Sequence, residues 1–172
     1  MLCNYFLATG NRLNSVINIK IKDVDFDNNL VTLTVTKNKV EQLLPVVPYM
    51  MAILQEYLTY RGGEPDDYLF VTVNGEQLKR ISCQQALMYY IREQRGVEVT
   101  SIHAFRRTFA TMYVDNGGNL FALQQLMGHS KLETTRKYVN LSIKQLQANY
   151  DAINPLSNIA NKQQKKQKVK MR

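Results

Sequence analysis

Between Asp23 and Val46 the apolar residues of this chain alternate with polar ones, and elsewhere they mostly recur every three or four positions. A period of two marks a strand with one buried face, and a period near 3.6 marks an amphipathic helix. The chain opens on MLCNYFLATG, an apolar run closed by Gly10 that reads as the end of a helix. Asn11 is placed to cap a second helix, with Arg12 in its first turn and Leu13, Val16 and Ile17 on its buried face. In DVDFDNNLVTLTVTKNKVEQLLPV, Val31, Leu33 and Val35 alternate with Thr32, Thr34 and Thr36, the pattern of a half-buried strand. The polar TKNK then turns the chain into a return strand around Leu43 to Val46.

Pro48 starts a helix whose apolar positions are Met51, Leu54, Tyr57 and Leu58, and Gly62-Gly63 stops it. Leu69 to Val73 reads as a short strand before a turn at Asn74-Gly75. Ser82 is expected to cap a helix running through Ala86, Tyr90 and Ile91 to Gly96. Ile102, Phe105, Phe109 and Met112 form the apolar face of the next helix, which stops before Gly117-Gly118. Asn119 caps a short helix through Leu123 and Leu126, closed by Gly128. Ser130 with Glu133 reads as a capping box for another, with Tyr138 near its far end. A last helix is expected from Ser142 to Tyr150, and Asn154-Pro155 ends the ordered body. The predicted fold class is mainly α with one small antiparallel β-sheet, an α+β arrangement.

At 172 residues the chain is long enough for one domain with a proper core. No run approaches the roughly 18 apolar residues of a membrane span, and no signal peptide is visible. Cys3 and Cys83 make no metal-type spacing and are expected as reduced thiols. The net charge of +8 suggests a polyanionic partner. Six of those charges, however, lie in the acid-free tail at Lys162, Lys165, Lys166, Lys168, Lys170 and Arg172, which leaves only two for the rest. Charge alone therefore does not argue for nucleic acid. The tail, residues 159–172, reads as basic and flexible, and residues 1–158 as the domain.

The chemistry concentrates in residues 101–140, SIHAFRRTFATMYVDNGGNLFALQQLMGHSKLETTRKYVN, which hold both histidines of the protein, His103 and His129. Arg106 follows His103 by about one helical turn, and Tyr138 lies nine residues after His129. Two histidines, an arginine and a tyrosine can bind a phosphate and attack it without a metal. A pentacoordinate phosphate concentrates charge on its equatorial oxygens, which planar guanidinium forks suit better than an ammonium does. A tyrosine with an ordinary pKa of about 10 needs a base or cationic neighbours to become a nucleophile. A departing alkoxide needs a proton donor, a task open to a lysine of lowered pKa.

The series H-x-x-R, then G-H, then Tyr nine residues on resembles the tyrosine recombinase (phage integrase) family. TGNRLNSVINIKIKDVDF is similar to that family's T-G-x-R segment, and LTVTKNKVEQLLPV to its lysine-bearing β-hairpin ending in leucine-proline. The likeness extends to about Ile153 and implies the family's catalytic-domain fold and site-specific DNA recombination that integrates or excises a mobile element. It implies Tyr138 as the nucleophile forming a 3′-phosphotyrosine, and Arg12 and Arg106 as holders of the non-bridging oxygens. His103 would assist proton transfer, His129 would hydrogen-bond the phosphate, and Lys37 would be the general acid. Lys39 competes for that last role, and counting back from Pro45 favours Lys37. Lys39 and Arg107 are candidate DNA-backbone contacts. Neither cofactor nor metal is implied. The implied partners are double-stranded DNA, further copies in a synaptic tetramer built on DNA from monomers, and accessory DNA-bending or excision factors, in a prokaryotic cytoplasm at the nucleoid.

Two departures from the family pattern stand out. The usual Glu three residues after the first arginine is Ser15 here, which leaves the orientation of Arg12 open. Family members also carry a helical core-binding domain before T-G-x-R, whereas this sequence starts about ten residues before Arg12. Weak, salt-dependent DNA binding and poor recombination are therefore expected. Rival readings remain open: a type IB topoisomerase using the same residues, a degenerate non-catalytic DNA-binding domain, and a metal-dependent nuclease. The last would use Asp23, Asp25 and Asp27 on one side of a strand.

Overall fold

The computed structural model describes residues 1–36, 40–98 and 101–139, with 150, 154–157 and 159. It is mainly helical around a three-stranded antiparallel sheet, as the apolar pattern predicts. Helix α1 (Leu2–Thr9) ends at Gly10 in the left-handed conformation, φ 62°. A four-residue α2 (Leu13–Val16) follows, then a 3₁₀ turn over Ile21–Asp23. The sheet runs β1 (Val24–Asp25), β2 (Leu30–Leu33), β3 (Gln42–Pro45), in that order. Its register pairs Val24 with Val31, and Leu30 with Pro45 through to Leu33 with Gln42. The further α-helices are α3 (Pro48–Arg61), α4 (Arg80–Tyr89, continued by a π-helical turn over Tyr90–Gln94), α5 (His103–Asp115), α6 (Leu120–Leu126) and α7 (Leu132–Arg136).

One apolar core joins α1, α2, the inner face of the sheet and α3 with Leu69, Phe70, Cys83 and Leu87. Val31, Leu33 and Leu44 supply the sheet's buried positions, so the alternation read from the sequence is what pins the strand register. A second, smaller cluster of Ala110, Val114, Leu123 and Met127 lies between α5 and α6, and Tyr138 packs against it. Helix α1 packs on α5 between these two clusters, which brings the T-G-x-R and H-x-x-R segments together.

Several local expectations are corrected. Asn11 does not cap α2: its side chain is buried, and Arg12, extended at φ −77° and ψ 140°, is the residue preceding the helix. Strand β2 ends at Leu33, where pairing with β3 stops, and Val35 is 40% exposed. Leu69 to Val73 is not a strand. Leu69 and Phe70 are apolar because they fill the core, while Tyr68 and Val71 make only isolated bridges to Lys20 and Gln77. The turn at Asn74-Gly75 does form, with Thr72 and Glu76 bonded across it (2.8 Å). Helix α4 starts at Arg80, so Ser82 lies inside its first turn and Lys79 takes the cap position. The Ser130–Glu133 box is likewise missing, because α7 begins at Leu132 behind Lys131 with no side-chain cap. Asn119 does cap α6, accepting from Phe121 N and Ala122 N. Residues 155–157 are helical behind Asn154, whose side chain accepts from Leu156 N (2.9 Å).

Met112 is 53% exposed because the buried stripe of α5 is Arg106, Ala110 and Val114. An apolar pattern cannot include an arginine, so it rotates the predicted face. Residues 37–39 of the TKNK turn, 142–149 of the expected last helix and 160–172 of the tail lie outside the described residues. Cys3 and Cys83 are unbridged, and no described helix is long and apolar enough to cross a membrane.

Candidate active site

Two helix ends supply the floor of the site. The chain leaves α1 through Gly10, whose carbonyl accepts from Arg106 Nη1 at 2.7 Å. It leaves α6 through Met127 and Gly128, whose carbonyls accept from Arg12 Nη1 at 3.3 and 3.5 Å. Met127 O also accepts from Arg106 Nη2 at 2.5 Å. The last carbonyls of a helix have no partner inside it and carry the negative end of its dipole, so they suit a cation. Two guanidiniums are thereby held by main-chain carbonyls. The described ion pairs join only Lys20 and Lys22 to Asp66, so neither arginine is neutralised by a described acid.

The glycines are required for this geometry. A Cβ on Gly10 would lie 2.4 Å from Phe109 Cδ1, and one on Gly128 would lie 3.0 Å from Gln42 Oε1 and 3.6 Å from Arg12 Nη1. Both glycines have positive φ, 62° and 58°. Gln42 itself, on β3, donates to the carbonyls of Gln125 and Leu126, tying the hairpin to the end of α6.

His129 follows Gly128 and is fixed at both ring nitrogens, with Nε2 2.9 Å from Arg106 Nη2 and Nδ1 2.9 Å from Thr135 Oγ1. Its backbone exchanges two hydrogen bonds with Gln124. Tyr138 lies just past α7, its ring near-parallel to that of His129 (11°) at a centroid separation of 6.5 Å. Both arginines feel the Tyr138 hydroxyl electrostatically.

Burial dominates the electrostatics. Arg106, only 7% exposed, is pulled down to about 10 by desolvation and then by repulsion from Arg12, against the opposing pull of Tyr138. Arg12 is lowered by burial and raised by Tyr138. His129 falls to about 4, through burial first and then Arg106 and Arg12, so its imidazole is neutral at pH 7. A cleft of about 530 Å³ opens beside this cluster, lined in part by Arg12, Ser15, Arg80, His103 and Arg106.

Residues 1–145 match the model of the phage integrase family. The chain belongs to that family. It is 30% identical over 149 residues to the tyrosine recombinase XerC of Pelobacter propionicus, a match covering 86% of this chain and 49% of that protein. The XerC of Staphylococcus aureus is 33% identical over 146 residues, covering 83% and 49%. Among solved structures, XerH site-specific recombinase in a post-cleavage complex with its difH substrate superposes with a TM-score of 0.69 at 25% identity. That match covers 86% of this chain and 43% of that one. The chain thus spans about half the length of the curated relatives it matches.

Against the family's pattern, the fold brings Arg12, Arg106, His129 and Tyr138 together and places His103, exposed at the start of α5, on the rim of the cleft. Lys37 and Lys39 lie outside the described residues. Arg107 is exposed and does not line the cleft with its neighbour Arg106. Ser15 is buried where the family often has Glu, which leaves Arg12 to the helix-end carbonyls. Asp23, Asp25 and Asp27 do not share a strand face. Asp23 accepts from Lys20 N in the 3₁₀ turn, and Asp25 accepts from Asp27 N and Asn28 in the turn before β2. Among the described residues no group of three or more such side chains is placed to hold a metal.

Three contributors escape a sequence reading. Arg80 carries one usable signal, a cation at the unfavourable start of a helix, as with Arg12. Thr135 and Gln42 carry none, because only the folded chain brings them to His129 and to α6.

Proposed function

We propose that this chain is the catalytic domain of a site-specific tyrosine recombinase, which cleaves and rejoins double-stranded DNA to integrate or excise a mobile element. One observation carries the reading. Two guanidiniums, free of any described carboxylate, converge with a neutral histidine on the neighbourhood of a single tyrosine hydroxyl. A chain that spends buried charge in this way has prepared a seat for an anion. XerH, the site-specific recombinase that superposes on this chain, was solved bound to its difH substrate in a post-cleavage complex.

In this mechanism Tyr138 Oη attacks the phosphorus while Arg12 and Arg106 hold the non-bridging oxygens. The new Oη–P bond forms as the bond to O5′ breaks, and the strand end leaves as a 5′-hydroxyl after taking a proton from Lys37. His103 assists removal of the phenolic proton, and His129 hydrogen-bonds the phosphate. The phosphotyrosine ester conserves the broken bond, so the reverse attack by a 5′-hydroxyl rejoins a strand without an external energy source. Charge stabilisation of this kind accounts for roughly 10²–10³ in rate per donor. Residues 1–158 form this domain. Residues 159–172 add a basic segment beyond it, and Lys39 and Arg107 contact the DNA backbone. Copies assemble as a tetramer on DNA in the cytoplasm, where accessory bending or excision factors join them.

The test is covalent capture. Incubated with a randomised pool of nicked duplexes, the full chain forms a protein–DNA adduct that peptide mapping by mass spectrometry places on Tyr138. Tyr138→Phe forms none. An adduct on another residue, or one that survives in the phenylalanine variant, overturns the assignment.

A further inference from the structure

The two ring nitrogens of His129 face partners of different capability. Arg106 Nη2, 2.9 Å from Nε2, belongs to a guanidinium, which only donates. Nε2 therefore accepts, and in a neutral ring the proton lies on Nδ1. Nδ1 meets Thr135 Oγ1 at 2.9 Å, and Thr135 is fully buried. In this free state Nδ1–H donates and the Thr135 hydroxyl oxygen accepts.

A bound phosphate reverses the demand. An anionic oxygen in front of Nε2 repels a lone pair and requires an N–H donor, so the proton must sit on Nε2 and Nδ1 must accept. Most histidine-orienting groups, a backbone carbonyl or a carboxylate, accept only and would lock Nδ1–H in place. A hydroxyl both donates and accepts. Rotation of the Thr135 O–H turns it into a donor to Nδ1 without moving a heavy atom.

We propose that Thr135 is a positioning residue that permits His129 to exchange tautomers, offering Nε2 to Arg106 in the free protein and Nε2–H to the scissile phosphate in the complex. This rests on the recombinase reading above. Protons balance, because the half-buried ring releases one from Nδ1 to solvent water and takes one at Nε2. The same residue also spaces the two rings of the site: its carbonyl accepts from Tyr138 N at 3.1 Å while its hydroxyl holds the imidazole that lies parallel to the Tyr138 ring. Its location three residues before the tyrosine is what allows one side chain and one carbonyl to serve both.

The test joins a spectroscopic and a kinetic readout on the full chain. Long-range ¹H–¹⁵N spectra of the free protein should show the His129 proton on Nδ1, moving to Nε2 on saturation with inorganic phosphate. Thr135→Val, nearly isosteric, should abolish that movement. It should also slow single-turnover cleavage of a nicked substrate by about tenfold or more, short of the 10²–10³ expected from losing a transition-state donor outright. DNA affinity should stay within about twofold, and Thr135→Ser should recover most of the rate and the tautomer exchange. In a His129→Ala background the valine substitution should have no further kinetic effect. A His129 proton fixed on one nitrogen with and without phosphate overturns the proposal, as does a valine effect that persists without His129. The spectra need neither DNA nor cleavage, so absence of any adduct in the wild type would refute the recombinase reading while leaving the tautomer result to decide this one. Equal thermal midpoints for the three Thr135 forms establish that a rate loss is not a folding loss.

Discussion

Gly10→Ala tests how the site is built. Gly10 has φ 62°, and the added methyl would meet the Phe109 ring at 2.4 Å from Cδ1 and 2.9 Å from Cγ. The left-handed backbone costs a residue with a Cβ about 1–2 kcal/mol. Forcing a methyl into a packed ring costs about 1–3 kcal/mol more. The sum is about 2–5 kcal/mol, a large share of the roughly 5–15 kcal/mol that folds a typical domain. Urea unfolding at 25 °C reads it directly: at about 2 kcal/mol per molar, the midpoint falls by roughly 1–2.5 M. The two contributions separate in a double-mutant cycle, because Phe109→Ala removes the ring but not the backbone strain. In that background Gly10→Ala should cost only about 1–2 kcal/mol. An equal cost in both backgrounds would refute the steric account, and a total below about 1 kcal/mol would refute the strain account as well. Cleavage should fall further than stability does, since Gly10 O is one of the two carbonyls that hold Arg106.

Three further outcomes are expected. Gly128→Ala places a Cβ 3.0 Å from Gln42 Oε1 and close to Arg12 in a left-handed conformation. It should cost about 1–2 kcal/mol in urea unfolding and reduce adduct formation without abolishing it. His129 should titrate near pH 4 by NMR, and Arg12→Gln, which removes a nearby positive charge, should raise that value. Because the folded-state pKa lies below the unfolded one, the unfolded chain binds a proton between about pH 6.5 and 4 that the folded chain refuses. Stability therefore falls as pH drops through that window, and His129→Gln should flatten the part of the fall that the wild type shows and other groups do not. Inorganic phosphate should raise the thermal midpoint, and Arg106→Lys, which cannot span Gly10 O, Met127 O and His129 at once, should lose most of that shift.

The sequence carried the elements whose local chemistry is self-contained. Alternation at Val31 and Leu33 set the sheet register, Asn119 marked the start of α6, and Gly62-Gly63 marked the end of α3. It also carried the identities and order of Arg12, His103, Arg106, His129 and Tyr138, and with them the family. It misplaced three helix caps, at Asn11, Ser82 and Ser130, because a capping residue is recognised by backbone geometry and each of these has a side chain used or exposed elsewhere.

What only the tertiary structure decided is how those residues are held. Arg106 stands out in the sequence only as a candidate phosphate-holding cation; the fold makes it a buried stripe residue of α5, and counting it as polar pushed Met112 wrongly onto the inner face. The groups that satisfy it are main-chain carbonyls at Gly10 and Met127, and every residue carries a carbonyl, so no letter of the sequence marks these two. They become distinctive only when two helix ends are brought to the same point. The neutral state of His129 has the same origin, since it depends on burial beside two guanidiniums that lie 23 and more than 100 positions away in the chain.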